Sequence, residues 1–481
     1  MTPAITPSIT RHVLTVPASG KQPARRVHYR RCGSGPMLLM VHQSPRSSAE
    51  YTDLMQQWGA HFTCVAPDSS GFGQSDPLAL AGGAPPEIDA FADGLCDFLD
   101  ALGVDRCPAY GFHSGGIILV TALKRNPERF TRLAVGGYAI WSEAEMRIFG
   151  ERYLPPFHPS DYGEHLTWLW NRMLEQSWVF PWFDTREEAR LSVAHADVPR
   201  VAQAVSEMLD AGNDYQAGYG AVLRAPRDIP ASDADVPPCL ISAYDGDPLQ
   251  EHIDRLGEMP AGWAARKVAT REEHQAVSLA FLQEDLASGD TPDLAEDDNE
   301  GWLALDHGLI HWKGTKGGTL VLHAPAAEMA EPEAGELAID VPGHGQSDPL
   351  ASPRAGGELS ETGSHLRGSA QAFETAITAA AEALDASEII HPKAPRGDPE
   401  HLYPDMTPDR FGQYLQRAWA AARAEAFFAP WYEASAANAI PLDPARLAPA
   451  TLHARAVARI RAGDAARRYH QFLIQKAGDA R

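Results

Sequence analysis

Tyr110-Gly111-Phe112-His113-Ser114-Gly115-Gly116, followed by the apolar run Ile117-Ile118-Leu119-Val120, decides how this chain is read. An apolar strand runs into a glycine-pinched turn, and the turn runs into a buried helix. Such a strand–elbow–helix unit holds one side chain on a strained turn at the top of a parallel sheet. The turn brings together the residues two before and two after its tip, so both must be small. With His113 at the tip these are Gly111 and Gly115. With Ser114 at the tip they are Phe112 and Gly116, and Phe112 clashes. The spacing therefore predicts His113 at the tip, with Ser114 one place later.

Upstream, Val27-His28-Tyr29 and Met37-Leu38-Leu39-Met40-Val41 are predicted strands, parted by the turn signal Cys32-Gly33-Ser34-Gly35-Pro36. The second strand runs into His42-Gln43-Ser44-Pro45-Arg46-Ser47. Phe62-Thr63-Cys64-Val65-Ala66-Pro67 is another strand. It ends in the loop Asp68-Ser69-Ser70-Gly71-Phe72-Gly73-Gln74-Ser75-Asp76-Pro77. Phe91, Leu95, Phe98 and Leu102 at helical spacing predict a helix from about residue 88 to 102. Leu133-Ala134-Val135-Gly136-Gly137-Tyr138 is a further strand. Continuously apolar strands alternating with helices predict a parallel sheet covered on both faces.

These pieces, in this order, resemble the α/β-hydrolase superfamily over about residues 24–285. Two downstream stretches extend the likeness. Pro238-Cys239-Leu240-Ile241-Ser242-Ala243-Tyr244-Asp245-Gly246-Asp247-Pro248 is similar to the strand and loop that carry the acid there, and Glu272-Glu273-His274 to the loop and helix that carry the histidine. The loop His42-Gln43-Ser44-Pro45-Arg46-Ser47 and the elbow Gly111-Phe112-His113-Ser114-Gly115 also resemble a subgroup with His-Gln-(Ser/Thr)-Pro-Arg-Ser and Gly-x-His-(Ser/Thr)-Gly. The resemblance implies an α/β-hydrolase core over residues 1–138 and 236–285 and a helical cap over 139–235. Trp141, Trp168 and Trp182 of that cap are candidates to line a substrate pocket. The competing assignment for each is the cap's own core.

Residues 286–300 form an acidic stretch that is expected to be a solvated linker. Beyond it the chain repeats itself. Ile310-His311-Trp312 echoes Val27-His28-Tyr29, and Asp340 to Leu350 echoes Asp68 to Leu78 almost position for position. Pro408, Gly412, Leu415, Trp419, Pro430 and Trp431 keep a constant offset from Pro159, Gly163, Leu166, Trp170, Pro181 and Trp182. Residues 301–481 are thus expected to be a truncated second copy with its own cap, packed on the first as a pseudo-dimer. After Glu388-Ile389-Ile390 this copy has no elbow, and it lacks counterparts of Asp247 and His274.

Composition narrows the partners. The chain has 481 residues and a formal net charge of −23, which argues against nucleic acid or an anionic membrane. No apolar run is long enough for a membrane span, and Met1-Thr2-Pro3-Ala4-Ile5 does not begin a signal peptide. Cys32, Cys64, Cys96, Cys107 and Cys239 have no metal-site spacing, so a reducing cytoplasm is expected, with no metal and no cofactor. Gly71-Phe72-Gly73 lacks the remaining features of a dinucleotide fingerprint.

The expected partner is a small carbonyl compound: an ester, thioester, lactone or cleavable C–C bond. The resemblance implies His274 as base and Asp247 as orienting acid, with Asp245 the competing acid. It also implies an oxyanion or substrate contact from His42, Gln43 and Ser44. Three chemistries stay open: hydrolysis with His113 in place of the usual serine or with Ser114 through a shifted turn; C–C lyase or isomerase chemistry with His113 and His274 as facing acid and base; and ligand binding without turnover.

Overall fold

An eight-stranded sheet carries the site. The computed structural model describes residues 7–20, 22–79, 83–150, 152–284, 297–350 and 364–479. The strands are β1 (Ile9–Val16), β2 (Arg25–Gly33), β3 (Met37–Val41), β4 (Thr63–Pro67), β5 (Cys107–Phe112), β6 (Phe130–Gly136), β7 (Cys239–Tyr244) and β8 (Trp263–Val268). Their order is β1-β2-β4-β3-β5-β6-β7-β8. β1 and β2 are antiparallel, as are β2 and β4, and the remaining neighbours are parallel. This is the α/β-hydrolase fold.

The helices of this part are α1 (Thr52–Trp58), α2 (Ile88–Ala101), α3 (Ser114–Arg125), α4 (Glu143–Phe149), α5 (Glu164–Glu175), α6 (Val198–Ala211), α7 (Tyr215–Arg224) and α8 (Arg271–Leu282). The side chains of a strand alternate between faces, so each buried strand feeds two cores. Leu39, Val65, Ala109, Val135 and Ile241 face the core filled by Phe91, Leu95 and Phe98 of α2 and Leu119 and Leu123 of α3. Leu38, Met40, Cys64, Tyr110 and Ala134 face the other core, against Leu54, Met55 and Trp58 of α1 and Leu282 of α8. The five cysteines are buried free thiols.

The second sheet has five strands: β9 (Glu300–Leu305), β10 (Gly308–Gly314), β11 (Thr319–Leu322), β12 (Glu336–Ile339) and β13 (Glu388–Ile390). Its order, β9-β10-β12-β11-β13, has the same sequence of parallel and antiparallel pairs as β1-β2-β4-β3-β5. Its helices are α9 (Ser364–Ala383), α10 (Pro399–Leu402), α11 (Gln413–Ala424) and α12 (Pro449–Asp479), the last broken at Gly463, where φ is 47° and ψ −130°. Phe373, Ile377, Tyr469 and Phe472 anchor its core.

Two boundaries differ from expectation. The acidic run ends inside a strand, since β9 begins at Glu300; residues 286–296 of the expected linker lie outside the described residues. The chain also divides into two units, 1–158 with 172–296, and 159–171 with 297–481. Residues 159–171, expected in the first cap, thus belong to the second unit. Packing within that unit explains why. The Trp170 ring meets Tyr414 edge-on at 5.8 Å, and the Trp419 ring meets His165 edge-on at 5.1 Å. A Cβ on Gly163 would strike Trp419, and one on Gly412 would strike Trp170. Each tryptophan needs a glycine opposite it, which ties this short segment to α11. No described helix is long and apolar enough to cross a membrane.

Candidate active site

β5 delivers the chain to the elbow, and His113 stands at its tip with φ 49° and ψ −113°. A left-handed φ is costly for a non-glycine residue and persists only where its surroundings enforce it. Here they do. A Cβ on Gly111 would approach the Gly115 carbonyl carbon to 2.8 Å, and one on Gly115 would overlap the Val41 carbonyl oxygen. The two glycines let the turn close against the end of β3, and that closure leaves His113 projecting.

His113 Nε2 lies 2.9 Å from Asp247 Oδ1. Asp247 sits on the loop after β7 and is buried. Burial opposes its ionisation, but the imidazole of His113 and the Leu249 N–H, which donates to Oδ1 at 2.9 Å, outweigh it and hold the carboxyl below its usual range. An ionised carboxylate only accepts, so Nε2 carries the proton and Nδ1 is left with the lone pair. A third glycine permits the contact. A Cβ on Gly137, where φ is +59°, would come within 2.5 Å of the His113 ring and 2.7 Å of Asp247. The ring stacks on Phe112 at 4.2 Å.

The other expected residues divide into two groups. Gln43, Ser44, Ser114 and Trp141 join His113 around a cavity of about 540 Å³. His42, Trp168, Trp182, Asp247 and His274 do not line it. His42 is buried and engaged at both ring nitrogens, by the Gln43 carbonyl at 2.9 Å and the Ser69 N–H at 2.8 Å. It shapes the loop after β3. Trp182 donates to the Tyr153 carbonyl, with Arg172 over its ring. Trp168 lies in the segment that belongs to the second unit.

His274 corrects the expectation most sharply. It does not face His113 across the cavity, and Asp247 orients His113 instead. His274 is buried in the core, 3.0 Å from the Tyr110 hydroxyl through Nε2 and 2.8 Å from the Ser242 hydroxyl through Nδ1. The cause is local. Thr270 caps α8, its side chain accepting from the Glu273 N–H at 3.1 Å, so His274 falls within the helix and on its inner face. Burial, aided by His113 and Arg271, lowers its pKa to about 4 against the pull of Asp247.

The loop after β3 also departs from expectation. The Gln43 N–H donates to Glu50 at 2.8 Å, and the Ser44 N–H donates to Ser114 Oγ at 2.5 Å. Ser114 Oγ in turn donates to Ser44 Oγ at 3.1 Å. The N–H groups expected to hold an oxyanion are therefore already bonded, and two hydroxyls stand in that place.

Sequence reasoning missed the arginines. Arg46, Arg172, Arg200 and Arg271 all line the cavity. Arg46 forks onto buried Glu207 at 2.8 and 2.9 Å, and Glu207 also accepts from the Ser47 N–H at 2.7 Å. Tyr244 lines the same wall, its phenol pushed up by burial and by Asp247 and drawn down by Arg271 and Arg200. Among the described residues no three His, Cys, Asp or Glu side chains are grouped as metal ligands would be.

Comparison with known proteins agrees with the sheet. Residues 36–148 match the family model described as alpha/beta hydrolase fold. Haloalkane dehalogenase 2 of Mycobacterium tuberculosis is 34% identical over 116 residues, which is 24% of this chain and 40% of that protein. Epoxide hydrolase 4 of Mus musculus is 28% identical over 117 residues, 24% of this chain and 32% of that protein. The chain thus spans well under half the length of these relatives. Among solved structures, epoxide hydrolase A from Mycobacterium thermoresistibile superimposes with a TM-score of 0.43 at 17% identity, over 60% of this chain and 100% of that one.

Proposed function

We propose that the unit built on the eight-stranded sheet is a cofactor-free hydrolase of a small carbonyl compound, with His113 acting where relatives of this fold place a nucleophile. The observation that carries this reading is the 2.9 Å bond between an elbow-tip imidazole and a buried carboxylate. Asp247 keeps the proton on Nε2, so Nδ1 is the basic atom at a side chain that lines the cavity. Nδ1 takes a proton from water as its oxygen bonds to the carbonyl carbon. The imidazolium, steadied by Asp247, then protonates the leaving group as its bond to that carbon breaks. The Ser44 hydroxyl and the N–H groups that open α3 stand beside the tip to polarise the carbonyl oxygen. The relatives named as dehalogenase and epoxide hydrolase support hydrolysis as the reaction class, and the residues 36–148 matched to the family model include the elbow.

A second reading is favoured by one observation. With the Gln43 and Ser44 N–H groups already bonded, the site resembles a proton-transfer centre more than an acyl-transfer centre. His113 alone would then serve a lyase or isomerase, without the second histidine. Turnover of a panel of aryl esters, thioesters and β-diketones separates the readings. His113→Ala is expected to lower kcat/KM about 10²- to 10⁴-fold, the usual worth of a general base. Covalent labelling of Ser114 by a fluorophosphonate, or full turnover by His113→Ala, would sink the proposal.

A further inference from the structure

The chain as a whole is strongly acidic, yet the cavity at His113 is lined by four arginines, and Asp245 is the only carboxylate among its described lining residues. The four differ in what they meet. Arg46 is satisfied by Glu207. Arg172 is buried and lies over the Trp182 ring at 5.7 Å. Arg200 and Arg271 have no hydrogen bond from the guanidinium and no carboxylate within ion-pair distance among the described residues. Asp245, which shares their wall, accepts from Gln250 at 2.7 Å. Both residues are exposed, and their like charges disfavour each other. Partial withdrawal from water and the charge of Arg271 lower the pKa of Arg200, with Arg46 adding to the effect and Tyr244 and Asp197 opposing it. Like charges lining one cavity are stabilised by an anion bound there, and a guanidinium can pair with a carboxylate through two parallel N–H···O bonds.

We infer that the cavity takes a substrate bearing a carboxylate, held by Arg200 and Arg271 while its reacting carbon lies at His113. Tyr244 lines the same cavity, within the field of both arginines and of Asp247. The body of the substrate is largely apolar, since Trp141, Met173, Phe180 and Leu191 line the cavity, with Gln43, Gln176, Ser177 and His195 as polar neighbours. The inference deepens the proposed function by naming a substrate class, and rests on that reading's placement of the reaction at this cavity.

Binding without turnover tests it. The full chain is titrated calorimetrically at low salt with 3-phenylpropionate, with the neutral 3-phenylpropionamide and with phenyl phosphate. Expected are at least tenfold tighter binding of the carboxylate than the amide, and loss of that preference in Arg200→Gln/Arg271→Gln with amide binding unchanged. Arg200→Lys/Arg271→Lys keeps the charge without the fork and should retain part of the preference. Equal affinity for carboxylate and amide, an unchanged preference in the Gln variant, or no saturable binding of either probe would overturn the inference. Tighter binding of phenyl phosphate than of the carboxylate would overturn the carboxylate assignment. His113→Ala should keep the carboxylate preference, so failure of the catalytic reading and failure of this one are told apart.

Discussion

The two sheets of this chain share a buried polar frame and differ in what is built on it. In the first, His28 Nδ1 lies 2.8 Å from Asp68, the Gln74 N–H donates to the same carboxylate, and the His28 N–H donates to Ser75. In the second, His311, Asp340, Gln346 and Ser347 make the corresponding bonds at 2.8, 2.8 and 2.9 Å. His42 accepts from the Ser69 N–H in one, and His323 from the Val341 N–H in the other. Two tryptophans match as well: Trp182 donates to the Tyr153 carbonyl and Trp431 to the Leu402 carbonyl. These pairs support reading residues 301–481 as a second, partial copy. The two sheets part after the fifth strand of each: β5 leads into His113 and α3, whereas β13 leads into His391-Pro392, and the next described helix is the four-residue α10 at Pro399. A histidine–aspartate pair buried in a strand–loop corner is therefore architecture, common to both. One placed on a strained tip beside a cavity is the candidate for chemistry.

The largest test removes the shared frame. Asp68 accepts from Ser48, His28 and Gln74, and Asp340 from His311 and Gln346, so neither carboxylate can be replaced by an amide without turning a donor against donors. Asp68→Asn and Asp340→Asn are each expected to destabilise by about 3–5 kcal/mol, the cost of losing two or more buried hydrogen bonds to a charged carboxylate. Urea unfolding measures this. Asp340→Asn should leave the kcat of the remaining folded protein unchanged. A cost below about 1 kcal/mol at Asp340 would break the comparison, because the second frame would then be a remnant without structural weight.

Much of this was legible in the sequence, for physical reasons that vary by residue. The sheet order follows from apolar strands ending in recognisable loops, and the elbow register follows from Gly111 and Gly115, because a Cβ at either position has nowhere to go. The pairing of Asp247 with His113 was not legible. It depends on Gly137, whose need for a bare Cα is visible only once β6 lies beside the elbow. The inward turn of His274 had a signal, Thr270-Arg271-Glu272-Glu273, a helix-start pattern that places the histidine inside a helix. Arg200 and Arg271 could not be found that way, since an arginine in a polar stretch looks like any solvated face until the fold brings two together. The grouping of residues 159–171 with the second unit was not legible either, because the glycine–tryptophan pairing that holds them joins positions far apart in the chain.

A second test separates chemistry from architecture among the groups of the unit built on the eight-stranded sheet. His274 keeps a pKa of about 4 when folded and about 6.5 when unfolded. Between these values the unfolded state binds more protons, so the stabilisation is complete above pH 6.5 and is lost as the pH falls toward 4. The loss is about 3 kcal/mol at the lower end. Other buried histidines titrate in the same window, so the readout is the difference between wild type and His274→Asn. The variant should be less stable at pH 7 and should show a shallower fall on acidification. An unchanged slope would mean that His274 is protonated in the folded protein, which would return it to the list of proton donors near the site.

The smallest effect falls on Ser114, and it decides most about the elbow. Its Oγ accepts from the Ser44 N–H and donates to Ser44 Oγ, a bond pair worth about 1–2 kcal/mol in a buried setting. Ser114→Ala should cost that much stability and leave turnover within about tenfold of wild type. Removing Oγ also frees the Ser44 N–H toward the cavity, where it becomes a donor for a developing oxyanion. If the reaction is acyl transfer from water, kcat should hold or rise. If it is proton transfer alone, kcat should barely move. A fall of three orders of magnitude would instead mark Ser114 as the nucleophile through a shifted turn. The two units would then differ by a serine, and His113 would be its positioning neighbour.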